Sequence, residues 1–433
     1  MVFGTAQQQA PPSVGWVGSV ANLVNTITGA AFLAFAYQFA QTGAVLGSLA
    51  LAFIFLANVL SLAMMVRIYL TSCEDRRVPR RDDFQGYILE LCGPAVQILY
   101  EVLVVVSGLG SMCVYFIIAR TAVEAMWPDG EAPAGTGIAA LVVFGVLQFP
   151  LSAVVDLKSQ VVPSIVSIIT LVILVFVVVG YAGTNSAAEG SLAVPILQGD
   201  ARGVTRAVLE TLSVFSFSFT SQTNAMVVFA EAWAPSDPRA LRWRLMAVSV
   251  GALSFSFVVY FVFGYVGYAA FGSAVGTNVI LSLPFGPLRQ FACAVLVVKI
   301  FTTFPLVTNP LLAAGDGIAQ TVRHGRAWQV ATQDERRGGD FWARRLAMLL
   351  VALIGTLLIG YFFDDLSTLT TVAGCFSDNY IAFLIPALAL LGLFSKERKK
   401  GADPLDPGWV PACIALAALS FAMSGLALQA LWA

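Results

Sequence analysis

Charge is scarce in this sequence. Only 11% of its 433 residues are Asp, Glu, Lys or Arg, against 58% hydrophobic, with a mean hydropathy of +0.83. Soluble domains carry about 25% charged residues, so the composition excludes a soluble fold and implies a polytopic membrane protein. A separate soluble domain is not expected either, because no polar stretch approaches the 50 or so residues that a domain needs. Residues 1–15 contain no charge, so the basic start of a signal or transit peptide is not read there.

Catalytic and metal-binding chemistry is equally thin. The six cysteines, Cys73, Cys92, Cys113, Cys293, Cys375 and Cys413, avoid the expected outer loops and show no C-x-x-C spacing, so neither disulfide staples nor a zinc site is expected. The single histidine, His324, falls in the basic loop 319–345 and cannot relay protons through a membrane. Neither a Ser/His/Asp set nor a phosphate-cradling glycine loop is present, so the chain is not read as an enzyme and no cofactor is expected. A net charge of -1 says nothing useful about partners; no nucleic-acid partner is expected. The expected partners are the bilayer and a small solute, and the sequence is silent on oligomeric state.

What is abundant is hydrophobic length. A bilayer-crossing helix needs about 20 apolar residues, and eleven stretches qualify: 16–42, 45–70, 94–126, 137–155, 160–181, 206–232, 245–271, 287–318, 346–363, 367–394 and 409–431. With the N-terminus in the cytoplasm, 19 of the 24 basic residues fall on the inner side. These include Arg67, Arg76, Arg77, Arg80 and Arg81 early on, and Lys396, Arg398, Lys399 and Lys400 late. Such asymmetry orients membrane proteins and puts the C-terminus outside.

Two of these spans carry more polarity than an anchor would. The first reads NLVNTITGAAFLAFAYQF over residues 22–39, with Asn22, Asn25, Thr26, Thr28 and Gly29 near its middle; the sixth reads SVFSFSFTSQTNAM over 213–226. Polar groups facing hydrocarbon are costly unless they find partners or line a cavity. Hydrogen bonding between packed helices accounts for such residues in one way, and an interrupted helix in another. These spans open two five-span halves, spans 1–5 and 6–10, and their polar centres correspond. That pattern points to an inverted-repeat transporter. The expected architecture is all-α, with about eleven spans in a 5+5 inverted repeat (about 16–181 and 206–394), discontinuous helices 1 and 6, and an extra helix at about 409–431.

The strings NLVNTITGAAFLAFAYQFAQTG, FSFTSQTNAMVVFAE with PSDPR after it, GYVGYAAFG, NVILSLP, FTTFPLVTNP and AGCFSDNYIAFLIPAL resemble the amino acid/auxin permease family. Within that family they are most similar to the sodium-coupled neutral amino acid transporters and their vacuolar relatives. The resemblance implies a secondary transporter that moves amino acids, neutral ones foremost, by alternating access coupled to protons or sodium. It implies a substrate site at the two interruptions, Thr28, Gly29, Ala30 and Ala31 with Phe215, Ser216, Ser218 and Thr220. It also implies cation coordination by Asn25 and Thr303, with Thr302 beside it, the one place where sodium would be held. The family's first-span pattern, N-x-x-x-G-x-G before a later Pro, is matched at Asn25 and Gly29. Ala31 and Ala36 stand where the second Gly and the Pro are expected, and both changes remove helix breakers.

Lys299 stands out in the middle of the eighth span, one helical turn before Thr303 and on the same face. An intramembrane lysine this far from either interface is a functional candidate by default. Its ammonium is expected at or beside the place where relatives hold sodium, which implies proton coupling or independence of a driving cation. A permanently charged structural ion pair is the other reading. Asp378 is the expected partner, since both residues lie about 18 Å from the outer ends of their spans; Glu101 lies closer to the cytoplasmic end. Arg120 either snorkels or meets an anionic substrate. An amino-acid sensor on the same fold and an ion-independent facilitator remain as alternatives. The plasma membrane and a vacuolar or lysosomal membrane are equally compatible with the sequence.

Overall fold

The computed structural model describes residues 15–74, 83–154, 157–185, 201–231, 238–324, 338–363, 366–399 and 408–432. The regular structure among these residues is helical, and no strand occurs among them. Arg76, Arg77, Arg80, Arg81, Arg326, Arg336, Arg337 and Lys400, part of the expected inner-side charge, lie outside the described residues, as does the end of the basic loop after His324.

The first apolar stretch is broken. Helix α1 (Trp16–Ile27) stops, residues 28–30 lose the helical ladder, and a 3-10 turn (Ala31–Ala34) leads into α2 (Phe35–Glu74). Inside α2 the chain turns at Gly43, whose φ of 75° is a left-handed value that a side chain would resist. This turn divides the expected first and second spans. The sixth span is also split, into α7 (Ala201–Phe219) and α8 (Gln222–Glu231). The remaining elements are α3 (Phe84–Cys92), α4 (Pro94–Glu124), α5 (Thr136–Ala153), α6 (Val161–Thr184), α9 (Pro238–Phe271), α10 (Pro287–His324), α11 (Gly339–Phe362), α12 (Leu366–Ala373), α13 (Ile385–Lys399) and α14 (Trp409–Trp432). Between α12 and α13 the helix widens into two π-helical stretches, Gly374–Asp378 and Tyr380–Leu384.

Eight helices among the described residues are long and apolar enough to cross a membrane. Helices α1 and α8, of 12 and 10 residues, fall short of that length, as does the apolar part of α14, Trp409–Gly425. The distribution of side chains is that of a protein in lipid. Ile138, Val142, Val146 and Leu147 of α5 and Val351, Ile354 and Leu358 of α11 point outward. Asn22, Asn25, Gln38, Asn58, Gln148, Gln222, Lys299 and Asp378 are buried inside. With no hydrophobic drive between helices in hydrocarbon, close packing and internal hydrogen bonds must hold them together.

Small residues supply the close packing. The broken α1 lies against α6 and α9, α2 lies against α7 and α9, and α4 lies against α10. A Cβ on Gly267 of α9 would come within 2.8 Å of Ala36, the residue standing where a proline was expected. One on Gly360 of α11 would meet Phe116 of α4 at 2.8 Å.

The π-helical stretch is held by its neighbours. Widening the helix frees carbonyls from the regular ladder, and serines from other helices take several of them. Ser424 of α14 donates to the Cys375 carbonyl at 2.7 Å, Ser420 donates to that of Asn379 at 2.9 Å, and Ser61 of α2 donates to that of Ala382. The other face lies so close to α7 that a Cβ on Gly374 would stand 2.1 Å from the Ser213 carbonyl oxygen. Because that neighbour is backbone, Gly374→Ala should destabilise the protein by at least the roughly 1–3 kcal/mol typical of overpacking. Gly251→Ala, where nothing lies within 4 Å, should be neutral. Thermal stability in detergent, followed by size-exclusion chromatography, compares the two.

Candidate substrate and cation sites

The two interruptions meet at the centre of the bundle. At the end of α1 the Thr28 amide still bonds the Val24 carbonyl at 2.7 Å, while the Gly29 amide turns back to the Ile27 carbonyl at 2.9 Å. Gly29 does not adopt a positive φ; the residue is constrained by space. A side chain there would place its Cβ 3.1 Å from the Tyr115 hydroxyl of α4. The loss of the second glycine shows as a short break, because Ala31 already begins the 3-10 turn.

Tyr260 of α9 joins the two breaks. Its hydroxyl lies 2.5 Å from the Ile27 carbonyl oxygen and 2.9 Å from that of Ser218. These carbonyls lie in the last turns of α1 and α7, where a truncated helix leaves carbonyls without their regular helical partners. The ring is buried between Phe35 and Phe219. On the far side of the sixth-span break, Gln222 donates to Asn58 and Ser61, while Asn224 reaches Thr26 at 3.3 Å and the Leu306 carbonyl at 3.1 Å.

Lys299 occupies an oxygen cage against the first break. Its Nζ is 2.7 Å from the Thr28 carbonyl oxygen, 2.9 Å from Thr303 Oγ1 and 3.3 Å from Asn25 Oδ1. Thr303 and Ser167 also donate to Asn25 Oδ1, at 2.8 and 2.6 Å, and the Asn25 amide donates to Ser164 at 3.1 Å. One backbone carbonyl, one amide oxygen and one hydroxyl form the kind of set that binds a hard cation. Here the lysine's own ammonium fills it. Asn25, Lys299 and Thr303 are thus brought together, while Thr302 is not: its hydroxyl bonds back to the carbonyls of Val298 and Lys299.

The expected ion pair between Lys299 and Asp378 does not form. Asp378 accepts from Ser107 of α4 at 2.8 Å and from Ser377 at 3.2 Å, and it faces a cavity. Equal depth in the bilayer did not mean equal position across it. Glu101 is also absent from the lysine cage; it accepts from Gln97 at 2.9 Å. Arg120 is held by backbone of a neighbouring helix. It donates to the carbonyls of Tyr361 and Phe363 at 2.7 and 3.3 Å, capping the end of α11.

The cavity is small, about 60 Å³ in volume, below the usual range for small-molecule sites. Gly29, Ala30, Ala31, Ser218 and Thr220 line it, as expected. Thr28, Phe215 and Ser216 do not. The Thr28 carbonyl turns to Lys299, its hydroxyl bonds back to Val24, and Phe215 stacks on Phe35 with ring centres 4.5 Å apart. Sequence reasoning missed Ser107, Ser111 and Tyr115 on the α4 wall, and also Asn224. Ser164 and Ser167 were missed as well, although their spacing puts them on one face of an otherwise apolar span.

A family model described as "Transmembrane amino acid transporter protein" matches residues 12–428. The chain belongs to that family. Similar sequences include solute carrier family 38 member 8 of Mus musculus, 25% identical over 394 residues that cover 88% of this chain and 85% of the relative. Sodium-coupled neutral amino acid transporter 7 of Homo sapiens is 24% identical over 87% of this chain and 78% of its own. Vacuolar amino acid transporter 5 of Schizosaccharomyces pombe is 23% identical over 86% of this chain and 83% of its own. Among solved structures, MhsT in complex with L-phenylalanine superposes with a TM-score of 0.57 at 12% identity, covering 96% of this chain and 98% of that one. Mhp1, a nucleobase-cation-symport-1 family transporter, gives 0.55 at 12% identity over 98% and 96%. These superpositions establish a shared transporter fold, so the family member has the interrupted-helix architecture expected of it.

Tyr260→Phe should test how firmly the breaks are held. The change leaves two carbonyls without their hydroxyl and should cost about 1–3 kcal/mol of stability. Substrate binding should weaken with it, read by ligand-dependent thermal shift. Unchanged stability and binding would show that water satisfies both carbonyls equally well.

Proposed function

We infer that this protein moves amino acids across a membrane by alternating access, and that it does so without sodium at the Asn25–Thr303 position. The observation that carries the second statement is the Lys299 ammonium, held by three oxygens at 2.7–3.3 Å. A sodium ion entering the same cage would meet a like charge within bonding distance, which disfavours binding strongly in a buried site. The substrate site is the neighbouring cavity. Its α-carboxylate would lie toward the amides at the starts of the Ala31–Ala34 turn and of α8, where helix starts favour anions.

The cage and the cavity share one short segment. Thr28 gives its carbonyl to Lys299, and the next three residues line the cavity. Loss of the Lys299 contact therefore frees the same backbone that frames the substrate, the physical link that coupling requires. A lysine held only by neutral oxygens has no carboxylate to anchor its proton, which supports the proton as the coupling ion.

The alternation of inner and outer loops is supported by a second pattern. Residues assigned to one side meet only residues of that side in the described ion pairs between helices or loops. Lys396 pairs with Glu90 at 2.6 Å and Arg344 with Asp316 at 2.8 Å, all four inner; Arg289 pairs with Asp129 at 2.6 Å, both outer.

Uptake into proteoliposomes is expected to run at the same rate in sodium and in sodium-free buffer, and an inward proton gradient is expected to accelerate it. Collapse of uptake without sodium would contradict the assignment. Lys299→Ala empties the cage of its ammonium, and in that variant sodium is expected to stimulate the residual flux.

A further inference from the structure

The cavity contains one charged group that the coupling assignment leaves unused. Asp378 lies at its wall, only 2% exposed, and is the sole acidic or basic residue among the described lining residues. It stands in the first π-helical stretch, whose extra width shifts side chains relative to a regular helix. Lys299 is turned to the other side of the first break and does not line the cavity. No basic side chain among the described residues forms an ion pair with Asp378, whose carboxylate accepts from the hydroxyls of Ser107, Ser377 and Thr220. Hydroxyl donors bring no net positive charge, so the carboxylate has no counter-charge among these partners.

A buried carboxylate without a counter-charge is costly. An amino acid with an uncharged side chain enters as a zwitterion, brings no net charge and leaves that deficit in place. An amino acid with a cationic side chain brings the missing positive charge. The carbonyls at the breaks already accept from Tyr260 and Lys299, whereas the carboxylate on the Ser107 wall is the strongest remaining acceptor. We propose that Asp378, oriented by Ser107, forms a subsite for a positively charged side chain, so that the protein's cargo includes amino acids bearing a guanidinium or ammonium group. The inference rests on the transport reading above and departs from the neutral cargo that the family resemblance implies.

Arginine and citrulline test it, because they share shape and differ in side-chain charge. Binding to the purified full-length protein is measured by thermal shift and by displacement of labelled arginine. Charged hydrogen bonds contribute about 1.5–3 kcal/mol, so arginine should bind about tenfold or more tightly than citrulline. In Asp378→Asn the arginine advantage should disappear while citrulline binding changes by less than about twofold. Retained citrulline binding shows that the variant is folded. Equal affinity for both ligands in the unaltered protein would overturn the proposal. Equal loss of both in a variant whose ligand-free melting is unchanged would also overturn it, by assigning Asp378 to the part common to all amino acids. Absence of binding by any amino acid would instead contradict the transport reading itself.

Discussion

The structure depends on how two broken helices are satisfied in a place without water. A helix crossing a bilayer normally pairs its own backbone groups, and each unpaired group in hydrocarbon costs several kcal/mol. Here two spans break near the middle, and specific side chains take what is freed. Tyr260 lies at hydrogen-bond distance from carbonyls in the last turns of both α1 and α7, and Lys299 takes the Thr28 carbonyl. Gln222 and Asn224 tie the start of α8 to α2 and α10. The backbone that remains between these contacts frames the cavity.

This arrangement separates two kinds of site that touch through a single segment. On one side of residues 28–31 an oxygen cage holds the lysine ammonium; on the other lies a cavity with hydroxyls and a carboxylate. Within a bundle as closely packed as α4 on α10 and α12 on α7, motion of one face of the segment is felt at the other. A resident ammonium cannot leave the protein as sodium can. It can only change its protonation or its contacts, and that constrains how the transport cycle is driven.

Much of this was legible in the sequence because membrane helices obey strong rules. Asn25, Gly29 and the Ser/Thr-rich stretch at 213–226 stood out as polarity where lipid would forbid it. Lys299 and Thr303 followed from a spacing of four residues, which fixes one helical face. The failures have a common physical source. Hydropathy and helical rise give depth, but they do not give the lateral placement of a helix. Lys299 and Asp378 therefore looked like partners, yet they face different sides of the first break. For the same reason Ser107 and Tyr115 stayed hidden in a long apolar span, and Phe215 looked like a lining residue although it stacks on Phe35. The carbonyl partners of Arg120 stayed hidden because helix ends on another span cannot be located from sequence.

The claim that most of this account leans on is that Lys299 takes the place of a sodium ion. Equilibrium binding of radioactive sodium to the purified protein measures it directly, without the complications of flux. The account predicts no saturable sodium binding, with or without an amino acid present. Saturable binding that strengthens when substrate is added, and that is lost in Asn25→Ala or Thr303→Ala, would contradict it.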